Sequence, residues 1–212
     1  MSAKEPPRGH FITLEGGEGV GKSTQVRALA EALKDRGIEV VVTREPGGSD
    51  GAEAIRELLL AGDEERWGAR AEALLFAAAR ADHVDKTIRR ALEAGRWVVS
   101  DRFVDSSLAY QGGAGGLGIE TVREINAFAL DGWFPDRTLV LILEDGVERA
   151  RARDTDGSDR IGGRAEEYHQ KVDTAFRLIA IEEPERVTLI DASGSPAEVT
   201  QRLLTAIVDL LP

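Results

Sequence analysis

The sequence predicts an α/β protein whose core is a doubly wound, five-stranded parallel sheet with helices on both faces. Two observations support this prediction. Short apolar runs alternate with stretches of helical spacing, and a glycine-rich segment lies between the first run and the first helix. No internal repeat or low-complexity linker interrupts the alternation. We therefore expect one domain over residues 10–212, preceded by a flexible leader over residues 1–9.

The five candidate strands are short and rich in β-branched residues, which is typical of strands that are buried on both faces of a parallel sheet. In chain order they are Phe11–Glu15, Glu39–Thr43, Trp97–Ser100, Thr138–Leu143 and Val187–Ile190. Because sheets of this kind bind ligands at the carboxyl ends of their strands, we expect the functional residues to follow the strands.

The helical stretches carry recognisable end signals. A long stretch over residues 69–94 is followed by Gly95, in the position of a C-terminal glycine stop. Ser195 and Pro196 open the last predicted helix, which runs to Leu211. Three polar or glycine-rich segments are predicted to be functional loops, the third a lid over a bound nucleotide: residues 45–51, 111–118 and 154–163.

Composition excludes several classes of protein. The chain has 212 residues, a net charge of −11 and no cysteine, which excludes a disulfide framework and a thiolate metal site. A globally acidic protein is also a poor candidate for binding nucleic acid or an anionic membrane. We expect a cytoplasmic protein that binds neither.

Residues 16–23 form a complete G-x-x-x-x-G-K-[ST] phosphate loop between a predicted strand and a predicted helix, which is the context that the motif requires. Glycines let several backbone N–H groups point at one anion, and the helix N-terminus adds partial positive charge. Lys22 is expected to reach the outer phosphates, and the Ser23 hydroxyl to ligate Mg²⁺. The predicted ligand is a nucleoside triphosphate, bound by Gly16, Gly17, Glu18, Gly19, Val20, Gly21, Lys22, Ser23 and Thr24.

Further candidate ligand-binding residues follow the other strands. Asp101 and Arg102 end the third strand, where the acid could hold Mg²⁺ and the arginine could clamp a second phosphate; the alternative is a surface ion pair. Phe76 and Arg80 lie four residues apart on one helix face, where a ring can stack on a base, although core packing is the more usual role of such a phenylalanine. The turn over residues 43–48 is rich in glycine and proline and brings backbone close to a ligand.

Arginines near the predicted lid are candidates for stabilising a transferred phosphoryl group, because one lysine and a metal seldom suffice. Arg149, Arg151 and Arg153 precede the lid and Arg160 lies inside it, and the pattern does not decide between them. Arg56, on a predicted helix, could reach an acceptor phosphate.

The histidines suggest the chemical nature of the acceptor. His10, His83 and His169 lie near no obvious nucleophile partner. A hydroxyl acceptor needs a general base, whereas a phosphate monoester is already anionic near neutral pH. The second kind of acceptor is therefore favoured.

Together these motifs resemble bacterial thymidylate kinases, which phosphorylate dTMP to dTDP with ATP. The resemblance extends from about Phe11 to Leu211. It rests on the phosphate loop, the turn over residues 43–48, Phe76 with Arg80, and residues 101–112, where Asp-Arg-Phe precedes a serine and Ala-Tyr-Gln-Gly. It implies a P-loop kinase fold, ATP and dTMP as substrates, Mg²⁺ as cofactor and a homodimer.

The resemblance also implies roles for individual residues. Phe76 would stack on thymine, Arg80 would bond its O4, and Tyr110 would lie against the deoxyribose. The implied dTMP-binding residues are Glu45, Arg56, Phe76, Arg80, Arg102, Ser106, Tyr110 and Gln111. The implied catalytic residues are Lys22, Arg102, Glu18 and a lid arginine, with Arg153 the first choice and Arg160 the second. The implied metal ligands are Ser23 and Asp101.

Two other functions stay open at this point. One is a kinase for another nucleoside monophosphate or for a deoxynucleoside. The other is a nucleotide-binding switch, although the guanine-reading N-K-x-D motif does not occur in the sequence.

Overall fold

The computed structural model describes residues 8–143 and 160–212 of the chain. Within them lie the strands β1 (Phe11–Gly16), β2 (Val40–Arg44), β3 (Trp97–Asp101), β4 (Arg137–Ile142) and β5 (Val187–Asp191). All pair in parallel, in the order β2-β3-β1-β4-β5. The predicted fold class is confirmed, and each strand end lies within one residue of its predicted position.

Helices follow all five strands, and those after the first four provide the crossovers that a parallel sheet requires. They are α1 (Lys22–Lys34), α2 (Asp50–Leu60), α3 (Ala69–His83), α4 (Arg89–Glu93), α5 (Val104–Ser107), α6 (Ile119–Leu130), α7 (Glu166–Glu182) and α8 (Pro196–Ala206). A π-helical segment, Val84–Ile88, joins α3 to α4, and a second, Leu108–Ala114, continues α5. Among the described residues, we find no helix with the length and apolar character needed to cross a membrane.

The sheet separates two apolar layers. On β1, Phe11 packs with the layer that contains residues of α4 to α7, whereas Ile12 and Leu14 pack on the opposite side against α1 and α8. The layer on that opposite side includes Leu29 and Leu33 of α1, four residues apart on one helix face. Because helices cover both faces, ligands have access to the sheet at its ends.

The last helix is shorter than the sequence predicts. It was expected to reach Leu211, but α8 ends at Ala206. Ile207 leaves helical geometry, with φ −119° and ψ 16°, and its side chain is fully buried. A short 3₁₀ turn, Val208–Leu210, follows it.

Two predicted loops also need correction. The loop expected over residues 45–51 stops earlier, because α2 begins at Asp50 behind the N-cap Ser49. The loop expected over residues 111–118 begins inside the second π-helical segment. There Gly113 allows close packing, since a Cβ at that position would lie 2.6 Å from the Cβ of Ala175 on α7.

Candidate active site

The phosphate loop connects β1 to α1 and needs glycine at its first position. Gly16 has φ +130°, and a Cβ there would lie 2.4 Å from the backbone oxygen of Leu141. Lys22, the first residue of α1, is 7% exposed, and its Nζ donates to the Gly17 carbonyl at 2.5 Å. Burial and the nearby charge of Arg102 lower the pKa of Lys22 to about 8. A bound polyphosphate would favour the charged form of this amine.

A hydroxyl and a carboxylate meet beside the loop. Ser23 Oγ donates to Asp101 Oδ2 at 2.8 Å, which joins α1 to the end of β3. The two residues predicted as metal ligands are thus adjacent, although they are 78 positions apart in sequence. The structure brings them together because parallel strands end at the same edge of the sheet.

Arg102 lies at the centre of the site in a left-handed backbone conformation, with φ +69°. Its guanidinium donates to Glu18 Oε1 at 2.7 Å, to the Tyr110 hydroxyl at 3.2 Å, and to the Gly16 carbonyl and Ser106 Oγ at 3.0 Å each. Arg102 lowers the pKa of Glu18 to about 2, so this carboxylate is charged at neutral pH. Burial raises the pKa of Tyr110, which stays a neutral hydrogen-bonding group.

Arg80 is bound on every side by protein groups. It is 1% exposed, and it donates to Glu45 Oε2, Ser107 Oγ, Asn126 Oδ1 and the Phe103 carbonyl. A further contact of 2.7 Å joins Arg80 Nη2 to Glu45 Oε2. With these contacts its fork of donors is directed at protein acceptors, so a bond to thymine O4 would be shared with one of them. That bond stays a prediction.

Glu45 is held in turn by a buried histidine. His83 Nδ1 lies 3.0 Å from Glu45 Oε1, and His83 Nε2 lies 2.7 Å from Thr43 Oγ1. The sequence offered no clear signal for this link, because the partners are about 40 positions apart.

Glu72 is a second buried carboxylate that the sequence analysis missed. It lies on α3, four residues before Phe76, and accepts from Gln111 Nε2 at 2.9 Å and from Arg164 at 2.7 Å. Arg160 Nη2 also bonds Glu72, at 2.5 Å, while its Nε donates to the Leu59 carbonyl. The only signal was an acidic residue within an apolar helical stretch.

The placement of Arg160 differs from the prediction. This side chain was the second choice for a lid arginine aimed at the phosphates, but its guanidinium is buried against Glu72 because two acceptors there match its donors. The first choice, Arg153, and most of the predicted lid lie outside the described residues, as do Arg149 and Arg151.

One cavity of about 490 Å³ joins the two halves of the site. Most predicted site residues line it: Glu18, Gly19, Gly21, Lys22, Ser23, Thr24, Glu45, Arg56, Phe76, Arg80, Asp101, Arg102, Ser106, Tyr110 and Gln111. Gly16, Gly17, Val20 and Arg160 are not among the lining residues. Six further residues that the sequence did not indicate as site residues also line the cavity: Arg27, Leu60, Phe103, Ser107, Ile161 and Gly162.

Phe76 is partly exposed and lines the cavity, so its ring is accessible to a ligand. Arg56 also lines the cavity, and its Nη1 donates to the Pro46 carbonyl at 2.7 Å. A phosphate loop, a second arginine-rich anion site and an accessible ring thus share one cavity at the edge of a parallel sheet. This combination defines the class of P-loop nucleotide kinases.

Comparison with known proteins narrows the class to one family. The family model described as thymidylate kinase matches residues 14–203. A thymidylate kinase of Rhizorhabdus wittichii is 62% identical over 96% of this chain and 99% of its own length. One from Rhodopseudomonas palustris is 48% identical over 94% of this chain and 89% of its own length. The chain belongs to the thymidylate kinase family and is a phosphotransferase.

A solved structure supports the same assignment. The crystal structure of thymidylate kinase from Ehrlichia chaffeensis superposes with a TM-score of 0.79 and is 30% identical in sequence. The similarity covers 95% of this chain and 100% of that one. The P-loop kinase fold expected from the sequence is therefore confirmed.

Proposed function

We propose that this protein transfers the γ-phosphoryl group of ATP to the phosphate of dTMP, giving ADP and dTDP. The observation that carries the proposal is the shared cavity, which is lined by the phosphate loop and also by Arg56 and Arg102. Two phosphorylated ligands bound end to end in such a space need little more than alignment and charge neutralisation to react.

Positively charged residues divide between the two substrates in this proposal. Lys22 and the backbone N–H groups of the loop bind the outer phosphates of ATP. Arg102 and Arg56 bind the phosphate of dTMP. Glu18 keeps the Arg102 guanidinium in place through their 2.7 Å ion pair and lies beside the acceptor.

Phe76, Tyr110 and Gln111 form the nucleoside part of the acceptor site in this proposal. Phe76 stacks on thymine, and Tyr110, whose hydroxyl bonds Glu18 at 3.1 Å, lies against the deoxyribose. Gln111 is held by Glu72 and lines the same pocket. Arg80 and Glu45 also line this nucleoside pocket.

The acceptor itself needs no general base. None of the three histidines lines the cavity. The phosphate of dTMP is already anionic near neutral pH and can attack without losing a proton.

Ser23 and Asp101 would hold Mg²⁺. Both line the cavity and offer hard oxygen donors, which suit this ion. No group of three acidic or histidine side chains that could hold a metal occurs among the described residues, so phosphate and water oxygens would supply the remaining ligands. Mg²⁺ held there would neutralise charge on the β- and γ-phosphate oxygens.

The choice of acceptor is tested by ADP release measured with dTMP, dUMP, dCMP, dGMP, AMP and thymidine. We expect the highest kcat/KM with dTMP and no turnover of thymidine. Turnover of thymidine without turnover of dTMP would overturn the proposal, because that reaction needs a base.

Arg153 is proposed as the lid arginine that stabilises the transferring phosphoryl group. Arg153→Ala should lower kcat by about a hundredfold or more while the affinity for dTMP changes little. Arg151→Ala, two residues earlier, is the matched control. An unchanged kcat in Arg153→Ala would assign the role to another arginine.

We further propose a homodimer that forms through α2, α3 and α6, of which α3 packs against the other two. Each of these helices exposes a large apolar side chain: Leu58, Leu74 and Phe128, respectively. Such side chains are typical of a surface that a partner covers.

A cytoplasmic location stays a prediction.

A further inference from the structure

Glu15 is a carboxyl group with no exposed surface, at the carboxyl end of β1. It does not line the cavity and has no role in the reaction proposed above. A buried carboxyl group is costly unless its oxygens are paired. Both oxygens of Glu15 are paired: Oε1 accepts the Phe103 N–H at 2.7 Å, and Oε2 lies 2.5 Å from Ser106 Oγ.

These two bonds act on Arg102 through two of its neighbours. The first fixes the peptide that follows Arg102, whose φ of +69° is unfavourable for a residue with a side chain. The second fixes the Ser106 hydroxyl, which accepts from Arg102 Nη1 at 3.0 Å. Glu15 therefore acts on both the backbone and the guanidinium of Arg102 without contacting the cavity.

Charged groups around Glu15 act on its carboxyl in both directions, and burial decides in favour of the neutral form. Asp105 on α5 is a negative neighbour, while Arg102 and Lys22 are positive. Burial, reinforced by Asp105, raises the pKa of Glu15 to about 8. A protonated Glu15 can donate to Ser106 and still accept from the Phe103 N–H, and it adds no second negative charge beside Arg102, which already pairs with Glu18.

We propose that Glu15 is a positioning residue for the acceptor phosphate: its buried carboxyl holds the turn after Arg102 and the hydroxyl against the guanidinium. The inference rests on the proposed function, in which Arg102 binds the phosphate of dTMP. Both hydrogen bonds of Glu15 lead to the neighbours of Arg102, so its effect should be larger on the acceptor phosphate than on ATP.

The test compares Glu15→Leu with Glu15→Gln in steady-state kinetics. Leucine removes both bonds, so KM for dTMP should rise about tenfold or more while KM for ATP changes less than about twofold. Glutamine mimics the protonated carboxyl, and KM for dTMP should stay within about threefold of wild type. Equal increases in the two KM values, or no increase in either, would overturn the proposal.

Thr13→Val is the matched control. Thr13 lies on the same face of β1, is fully buried, and bonds Thr138 Oγ1 at 2.9 Å rather than Phe103 or Ser106. It should lose stability without any change in KM for dTMP. A rise in KM for dTMP comparable to that of Glu15→Leu would contradict the proposal, because loss of any buried polar side chain on β1 would then have the same effect.

A pH profile keeps the proposal testable if Glu15→Leu does not fold. Ionisation of Glu15 would place negative charge behind Arg102, so the wild-type KM for dTMP should rise between about pH 7 and about pH 9. Glu15→Gln cannot ionise and should rise less. Parallel profiles in the two proteins would contradict the inference.

Arg102→Ala separates failure of this inference from failure of the proposed function. If KM for dTMP is unchanged in Arg102→Ala, the role of Arg102 is wrong and the proposed function needs revision. If Arg102→Ala raises KM but Glu15→Leu does not, only the positioning role of Glu15 is wrong.

Discussion

Lys22 is a buried ammonium whose hydrogen bond goes to a carbonyl of its own loop. Burial disfavours its charged form, nearby carboxylates compensate this only in part, and bound phosphate oxygens would compensate it further. Lys22→Ala should therefore lower kcat by about a thousandfold or more, measured as ADP release at saturating substrates.

A lysine at the other end of the same helix provides the control for that substitution. Lys34 is exposed and pairs with Glu31 at 2.7 Å. Lys34→Ala should leave kcat unchanged. A Lys22→Ala enzyme within about tenfold of wild type would contradict the role given to the loop.

Glu15 also makes the stability of the fold depend on pH. Its folded pKa of about 8 lies above the unfolded value of 4.5, so the folded state binds the extra proton between these limits. The stability associated with this proton is complete below about pH 4.5 and is lost as pH rises through about 8.

The stability of Glu15→Gln relative to wild type should therefore increase as pH rises. From about pH 6 to about pH 9 the difference in unfolding free energy should move towards the variant by on the order of 2 kcal/mol, measured by urea denaturation. Both proteins keep Lys22, and the part of its titration that does not depend on the Glu15 charge cancels in the difference. The difference in unfolding free energy between wild type and Thr13→Val should not vary with pH. A constant difference for Glu15→Gln would show that the pKa of Glu15 does not lie in this pH range.

Residues in local motifs could be predicted from the sequence, and residues defined by distant partners could not. Lys22 and Ser23 belong to a motif of eight adjacent positions whose spacing itself indicates phosphate binding. Glu15 and Glu72 are recognisable only through partners such as Phe103 and Arg160, each 88 positions away. No local pattern encodes such pairs.

At the scale of elements, strands were easier to predict than turns. A short apolar run that is rich in β-branched residues and bounded by turn signals favours a buried parallel strand. Glycine was ambiguous, because it indicates either a turn or a close approach of two elements. Gly113 illustrates the second case, since it lies in a helical segment against Ala175.

The contact at Gly113 predicts the effect of adding a methyl group. In Gly113→Ala the new Cβ would lie 2.6 Å from the Cβ of Ala175, so α7 must move or the segment must distort. We expect a loss of about 1–3 kcal/mol in unfolding free energy, measured by denaturant titration.

A second substitution at the same contact tests the cause. Ala175→Gly removes the opposing methyl group and should recover part of the loss in the double variant, giving a nonzero coupling energy. Gly68→Ala is the control, because nothing lies within 4 Å of the position its Cβ would take and its φ is −65°. Strict additivity of Gly113→Ala and Ala175→Gly would show that the contact is not the cause.

At the scale of the whole molecule, the position of the site follows from the two apolar layers. Helices cover both faces of the sheet, so β1 and β3 can present their last residues only at the carboxyl edge. The sequence predicted this edge and most of the cavity lining, because the order of strands and helices determines both.

The exposed apolar side chains on α2, α3 and α6 connect the surface to the site. α3 carries Leu74, which is 58% exposed, two residues before Phe76. On α6, Phe128 is 92% exposed. A partner that covers these side chains would therefore also support the helix that carries the ring at the acceptor pocket.

Phe128→Asp should convert the proposed dimer to a monomer, because a buried unpaired carboxylate at an interface is strongly unfavourable. Sedimentation velocity at micromolar concentration measures the change. Ile181→Asp is the matched control, since Ile181 is 74% exposed on α7 rather than on one of the three helices, and should leave the mass unchanged. A monomeric wild-type protein, or loss of the dimer in Ile181→Asp but not in Phe128→Asp, would show that the interface lies elsewhere or does not form.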